Sequence, residues 1–246
     1  MALSQPDTRA LQAYNKWRSE ALVECKDITS DSHALLDAFI PKSQVEHFFE
    51  DEYRLKQLLL RHVRYEKCET VCRSIRRSYS RVYCILLDIR RPQLIEQFTE
   101  HHELRDEMLP FSKRPSPFPN TSNDPEVWSD FYKKQRVYCP ITLEDEEWMQ
   151  HPAEQVLPFT SMKRLKVTGS TADLYCAEIH KEYDGLESHE QVCINSPTST
   201  RCVRIKLTFS RLHRATSTGK SPSKSTGALV ICARSLTPSK KQKISA

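Results

Sequence analysis

The hydrophobic positions of this chain fall into two regimes. From Thr8 to Glu24, Leu11, Tyr14, Trp17 and Ala21 recur at steps of three and four, which predicts an amphipathic helix with one apolar face. A second helix is predicted from Ser43, where Ser43-Gln44-Val45-Glu46 has the capping-box pattern just after Pro41. Phe48, Phe49, Glu52, Leu55, Leu59 and Val63 then follow mostly on one face. The basic stretch 66–80 extends the helical region. Val82 to Ile89 is almost wholly apolar and is therefore buried, although periodicity alone does not separate helix from strand there. Pro92 opens a short amphipathic segment carrying Leu94, Ile95 and Phe98.

Beyond residue 109 the pattern changes. Five prolines stand between 110 and 125 among Ser, Asn and Thr, a composition that predicts an exposed linker. Trp128, Phe131, Tyr132, Val137, Tyr138 and Ile141 then bring aromatic and β-branched residues close together. Residues 156 to 180 alternate in the manner of two strands around Gly169. From Ser196 onward Ser, Thr, Lys and Pro dominate, and most of 210–246 is expected to be disordered. The fold class expected is therefore α+β. It comprises a helical region over 1–109, a proline-rich linker over 110–125, a segment over 126–209 with a small antiparallel sheet, and a basic tail over 210–246.

Charge sharpens the division. The 246 residues carry a net charge of +5, yet no acid follows Glu190 while eleven Lys or Arg do. Subtracting those eleven leaves −6 on residues 1–190, so any basic surface belongs to the end of the chain. That end could make nonspecific contact with phosphate, but it lacks aromatics beyond Phe209 to stack bases. The sequence opens with no basic-then-apolar leader, and no apolar run approaches the roughly 18 residues that span a bilayer. The expectation is a cytoplasmic or nuclear protein with no membrane partner. Nine cysteines, an odd number without framework spacing, read as reduced thiols. Cys68 and Cys72 stand one helical turn apart without a second ligand pair, and His101-His102 beside Glu103 and Asp106 reads as a charged helix end; no metal site is expected.

Several short stretches taken in order resemble a family of fungal protein-kinase-like proteins, in which a helical region precedes a kinase domain. They are Ala38-Phe39-Ile40-Pro41-Lys42, Val82-Tyr83-Cys84-Ile85-Leu86-Leu87 followed by Leu94-Ile95-Glu96-Gln97-Phe98, Leu109-Pro110-Phe111, and Val156-Leu157-Pro158-Phe159, together covering roughly residues 38 to 185. The resemblance implies that Leu174-Tyr175-Cys176-Ala177-Glu178-Ile179-His180 is the second strand of a small kinase lobe. The three glycine positions of the phosphate-covering loop then fall on Val167, Gly169 and Ala172, of which only Gly169 is glycine. Such a loop needs glycines because missing side chains let backbone amides approach the phosphates, so ATP binding is expected to be weak or absent. Val203-Arg204-Ile205-Lys206 resembles the strand whose lysine pairs the phosphates, which would give that place to Lys206. No Asp-Phe-Gly occurs, Leu212-His213-Arg214-Ala215 lacks the aspartate of a catalytic loop, and Gly219-Lys220-Ser221 lacks the preceding glycine of a phosphate loop.

With no acid after Glu190 to hold magnesium or act as a base, the expectation is a catalytically incompetent, truncated relative of such kinases, without a cofactor and without catalytic residues. Its abrupt loss of acids is also what a shifted reading frame would give. The alternative is a non-catalytic interaction module that binds another protein through the helical N-terminal region.

Overall fold

The computed structural model describes residues 8–26, 38–119, 126–144, 149–152, 155–165, 173–185, 202–209, 228–231 and 233–235. They belong to two compact units, Met1–Val23 with Ala38–Pro140, and Glu24–Asp37 with Ile141–Ala246. The fold class is α+β, as expected.

The first unit is helical. Helix α1 (Thr8–Ala21) turns Ala10, Tyr14 and Ala21 inward, the face that its spacing predicts. The long second helix of the sequence reading is two helices, α2 (Lys42–Glu50) and α3 (Glu52–Leu59), with Asp51 extended between them. The physical reason is local: the Asp51 carboxylate accepts the Arg54 amide at 3.0 Å and so caps a new helix. The expected capping box at Ser43 does not form, because Pro41 occupies the N-cap position of α2 and no side-chain capping bond is made.

Helix α4 (Tyr65–Ser74) runs through a π-helical turn (Ile75–Tyr79) into α5 (Ser80–Asp88), which settles the apolar run from Val82 as helix. Tyr79 leaves helical geometry at φ −136°, ψ 20°, and α5 therefore begins with amides of its own to satisfy. Asp106 satisfies them from outside: its carboxylate accepts the Ser80 hydroxyl at 3.0 Å and the Arg81 and Val82 amides at 2.9 Å each. At its other end α5 closes with Arg91 N donating to Leu86 O and Arg90 N to Leu87 O, and Arg90 takes the left-handed φ of 59° that such a closure usually gives to glycine. Helices α6 (Ile95–Thr99) and α7 (Val127–Tyr138) complete the unit.

The described part of the expected exposed linker, 110–119, is anchored in the helical unit; 120–125 lie outside the described residues. Phe111 and Phe118 are buried in the same apolar core as α4, α5 and α7. Phe118 packs edge-on against Phe98, Phe131 and Trp128 at 5.0–5.4 Å between ring centres. The Gln135 amide, itself buried, accepts Phe111 N–H at 2.8 Å and donates to Phe111 C=O at 2.9 Å, so the backbone of the segment is held as firmly as its rings. Helix α7 accordingly belongs to the helical unit, which runs to Pro140, rather than to the sheet-bearing segment assigned from residue 126. Composition misleads here because two aromatic anchors outweigh the prolines around them.

The second unit holds the strands. A short parallel pair, β1 (Leu143–Glu144) with β5 (Asp184–Gly185), stands apart from a six-stranded antiparallel sheet. That sheet has the order β2 (Met149–Pro152), β7 (Ala228–Ile231), β6 (Cys202–Phe209), β4 (Asp173–Ile179), β3 (Phe159–Leu165), with β8 (Ala233–Ser235) also on β6. The two strands expected around Gly169 are β3 and β4, paired antiparallel from Phe159 opposite Ile179 to Leu165 opposite Leu174. Phe159, Met162, Ala177 and Ile179 are buried. Within the expected disordered tail, β7 and β8 are a correction: Ala228-Leu229-Val230-Ile231 is an apolar run ending in two β-branched residues, and it pairs with both β2 and β6. The rest of that tail lies outside the described residues.

Candidate functional site

Of the residues placed at a degenerate phosphate loop, Val167, Gly169 and Ala172 lie outside the described residues. Lys206 lies on β6 opposite Leu174 of β4, next to the strand that was expected to follow the loop. The Leu212-His213-Arg214 and Gly219-Lys220-Ser221 stretches also lie outside the described residues.

The described residues assemble a different site that the sequence reading did not single out. An open groove of about 460 Å³ runs over the helical unit where α2, the start of α3, the end of α4 and the π turn meet. Its floor includes Phe49 and Cys72, both buried. Helix α2 contributes Glu46 and Glu50 to it, and α4 and the π turn contribute Arg73, Arg76 and Arg77.

An alternating chain of charges ties these elements together. Arg76 lies 3.0 Å from Glu52, Lys56 bridges Glu52 at 2.6 Å and Glu69 at 2.7 Å, and Arg73 reaches Glu69 at 3.8 Å. The hydrogen bonds from Lys56 hold the Glu52 carboxyl below its ordinary range, and the same bonds from Glu52 and Glu69 raise the Lys56 ammonium. On α2, Glu46 lies 3.6 Å from Lys42 and Glu50 accepts from His47 at 2.9 Å, both within their own helix. Arg77 is exposed and forms no ion pair among the described residues.

The π turn is what gives the groove its basic side. A single π turn shifts the angular position of everything after it, and such turns are enriched at functional sites. Here Arg73 precedes it while Arg76 and Arg77 lie within it.

The chemistry open to the groove is ionic and hydrogen-bonding. Burial pushes the Cys72 thiol up to about 11, aided by nearby Glu52, so it is a thiol at neutral pH and offers no ready nucleophile. Cys139 is pushed up to about 12 by the same cause, and Cys68 and Cys84 are raised as well. Tyr83, whose ring packs 5.8 Å from Phe49, has a fully buried hydroxyl without a hydrogen-bond partner among the described residues. His102 lies 3.5 Å from Glu103, while the Asp106 carboxylate is committed to α5. Among the described residues no group of three or more His, Cys, Asp or Glu could hold a metal ion, and no helix is long and apolar enough to cross a membrane.

No family model, curated protein or solved structure matches the chain. The resemblance to fungal kinase-like proteins therefore rests on the short stretches quoted above.

The groove was partly within reach of sequence. Arg73, Arg76 and Arg77 have helix-face spacing, as do Glu69 and Arg73. What periodicity does not carry is that Glu52 meets Arg76 and Lys56 meets Glu69, since those pairs join different elements.

Proposed function

We propose that this chain is a non-catalytic binding protein whose helical unit docks another protein chain across the α2–π-turn groove. The observation that supports this reading most is the arrangement of the groove: acidic side chains on one helix, arginines on another, and an apolar floor including Phe49 between them. Charges of both signs beside an apolar floor suit a polypeptide surface, which offers donors, carboxylates and side-chain carbon together.

Cross-linking mass spectrometry of the full chain in cell extract tests it. Lys42 and Lys56, close to the groove by their ion pairs to Glu46 and Glu52, should cross-link to a protein chain. Those cross-links should vanish in the double variant Arg73→Glu/Arg77→Glu and persist in Lys206→Met. Cross-links unchanged by the arginine variant would defeat the reading.

A second reading concerns the sheet-bearing unit: a catalytically incompetent remnant of a kinase small lobe, with Val167, Gly169, Ala172 and Lys206 at degenerate nucleotide positions. It draws support from the β3–β4 hairpin flanking residues 166–172 and from β6, with Lys206, beside β4. A ligand at 100 times its dissociation constant adds about 2.7 kcal/mol of stability. Millimolar Mg-ATP is expected to leave the thermal midpoint unchanged. A saturable rise that disappears in Lys206→Met would instead establish a working nucleotide site.

A further inference from the structure

We infer that the partner that fits this groove is a second copy of the same chain, docked about a two-fold axis; the inference rests on the binding role proposed above. A two-fold interface must be self-complementary, because any contact from one residue of the first copy to a second residue of its partner is repeated with the two copies exchanged. The two sides of the groove satisfy this requirement by charge. Glu46 and Glu50 come from α2, while Arg73 and Arg77 come from α4 and the π turn. Turning one copy over the other lays each acidic side on an arginine side, twice.

The state of the individual charges favours this occupant. Among the described residues Glu50 is paired only within its own helix, to His47, and its side chain remains 69% exposed. Glu46 is 54% exposed beside Lys42. Arg73 is 76% exposed and no closer than 3.8 Å to Glu69. Arg77 has no ion pair among the described residues. These four groups can therefore turn to a partner without dismantling the Arg76–Glu52–Lys56–Glu69 chain that holds the groove together. A uniformly acidic ligand would be repelled by α2, and a uniformly basic one by the π turn.

Sedimentation velocity of the full chain over a micromolar concentration series tests this. A reversible dimer is expected at low salt. It should weaken by about tenfold or more when ionic strength rises from about 0.05 M to about 0.5 M, since exposed charges are screened over a few ångströms there. Arg73→Glu/Arg77→Glu alone and Glu46→Lys/Glu50→Lys alone should each be monomeric, because like charges then face each other. An equimolar mixture of the two variants should recover a heterodimer. That recovery requires contact between copies; repair within one chain cannot produce it, and it also shows that both variants are folded.

A chain that stays monomeric at low salt overturns the inference. So does a dimer indifferent to both variants, or a mixture that fails to recover. Loss of a different protein's cross-links in the arginine variant, alongside a monomeric chain, would keep the binding role and place another protein in the groove.

Discussion

Phe131→Ala is expected to destabilise the helical unit by about 3–5 kcal/mol, the range for removing a buried phenyl ring. The Phe131 side chain is fully buried, and its ring lies 5.5 Å from Phe98, 6.0 Å from Phe111 and 5.4 Å from Phe118. Three of these four rings would lose their common neighbour, and the two from the proline-rich stretch would lose much of what holds that stretch down. Urea unfolding followed by circular dichroism reads the effect as a fall in midpoint. A change below about 1 kcal/mol would mean that 110–119 contributes little to the core, as its composition first suggested.

The second large effect is expected at Asp88. Its side chain is only 5% exposed, and it accepts from Arg18 Nε at 2.7 Å, Tyr14 OH at 2.9 Å and Tyr138 OH at 3.1 Å, with Lys134 at 3.8 Å. One carboxylate thus fastens α1 and α7 to α5. Removing one member of a buried charged network costs about 3–5 kcal/mol, because the partners keep their desolvation penalty without their bonds. Asp88→Ala is expected near the lower end. Arg18 remains partly exposed, and Tyr14 keeps the Cys84 carbonyl at 3.0 Å and the Tyr138 hydroxyl at 3.1 Å.

The same cluster sets a pH dependence. Burial, helped by Cys84 and Asp88, raises both Tyr14 and Tyr138 above the ordinary tyrosine value; the Tyr138 neighbour raises Tyr14 further, whereas the Tyr14 hydrogen bond and Arg18 offset part of the rise at Tyr138. Groups with raised folded pKa stabilise fully below the unfolded pKa and lose that contribution as pH rises. Stability should therefore hold through neutral pH, begin to fall above about pH 8.5 through the raised thiols, and fall further above about pH 10 through the two tyrosines. The Tyr138→Phe variant should show a shallower fall than wild type, and an identical slope would mean that Tyr138 ionises freely in the folded state.

How much of this was legible in the sequence differs by element. The face of α1 could be read from Leu11, Tyr14, Trp17 and Ala21 because each step of three or four returns to one side. The break at Asp51 could not be read from periodicity, since the apolar positions continue across it; a single side-chain bond to Arg54 N decides it. In the 110–119 stretch the signal was present in Phe111 and Phe118, but composition averaged it away. The partner that fixes that stretch, Gln135, lies 24 residues from Phe111, beyond any local rule. The binding groove was least legible, because its geometry depends on a π turn and on ion pairs between helices. The β3–β4 hairpin was well announced by alternation, whereas the strand at Ala228–Ile231 was hidden by the Ser-, Thr- and Lys-rich composition of the region around its short apolar run.

Residues 8–23, 38–119 and 126–140 form a single packed body that presents the groove, and the described part of the proline-rich stretch, 110–119, belongs to it. Hydrogen exchange of the full chain, read by mass spectrometry, tests this most directly. Amides of α5, of α7 and of Phe111 and Phe118 should open together, with similar protection that falls in concert in Phe131→Ala. Exchange of 110–119 within seconds, while α5 and the other helices up to residue 109 remain protected, would contradict the account and restore an exposed linker at that point.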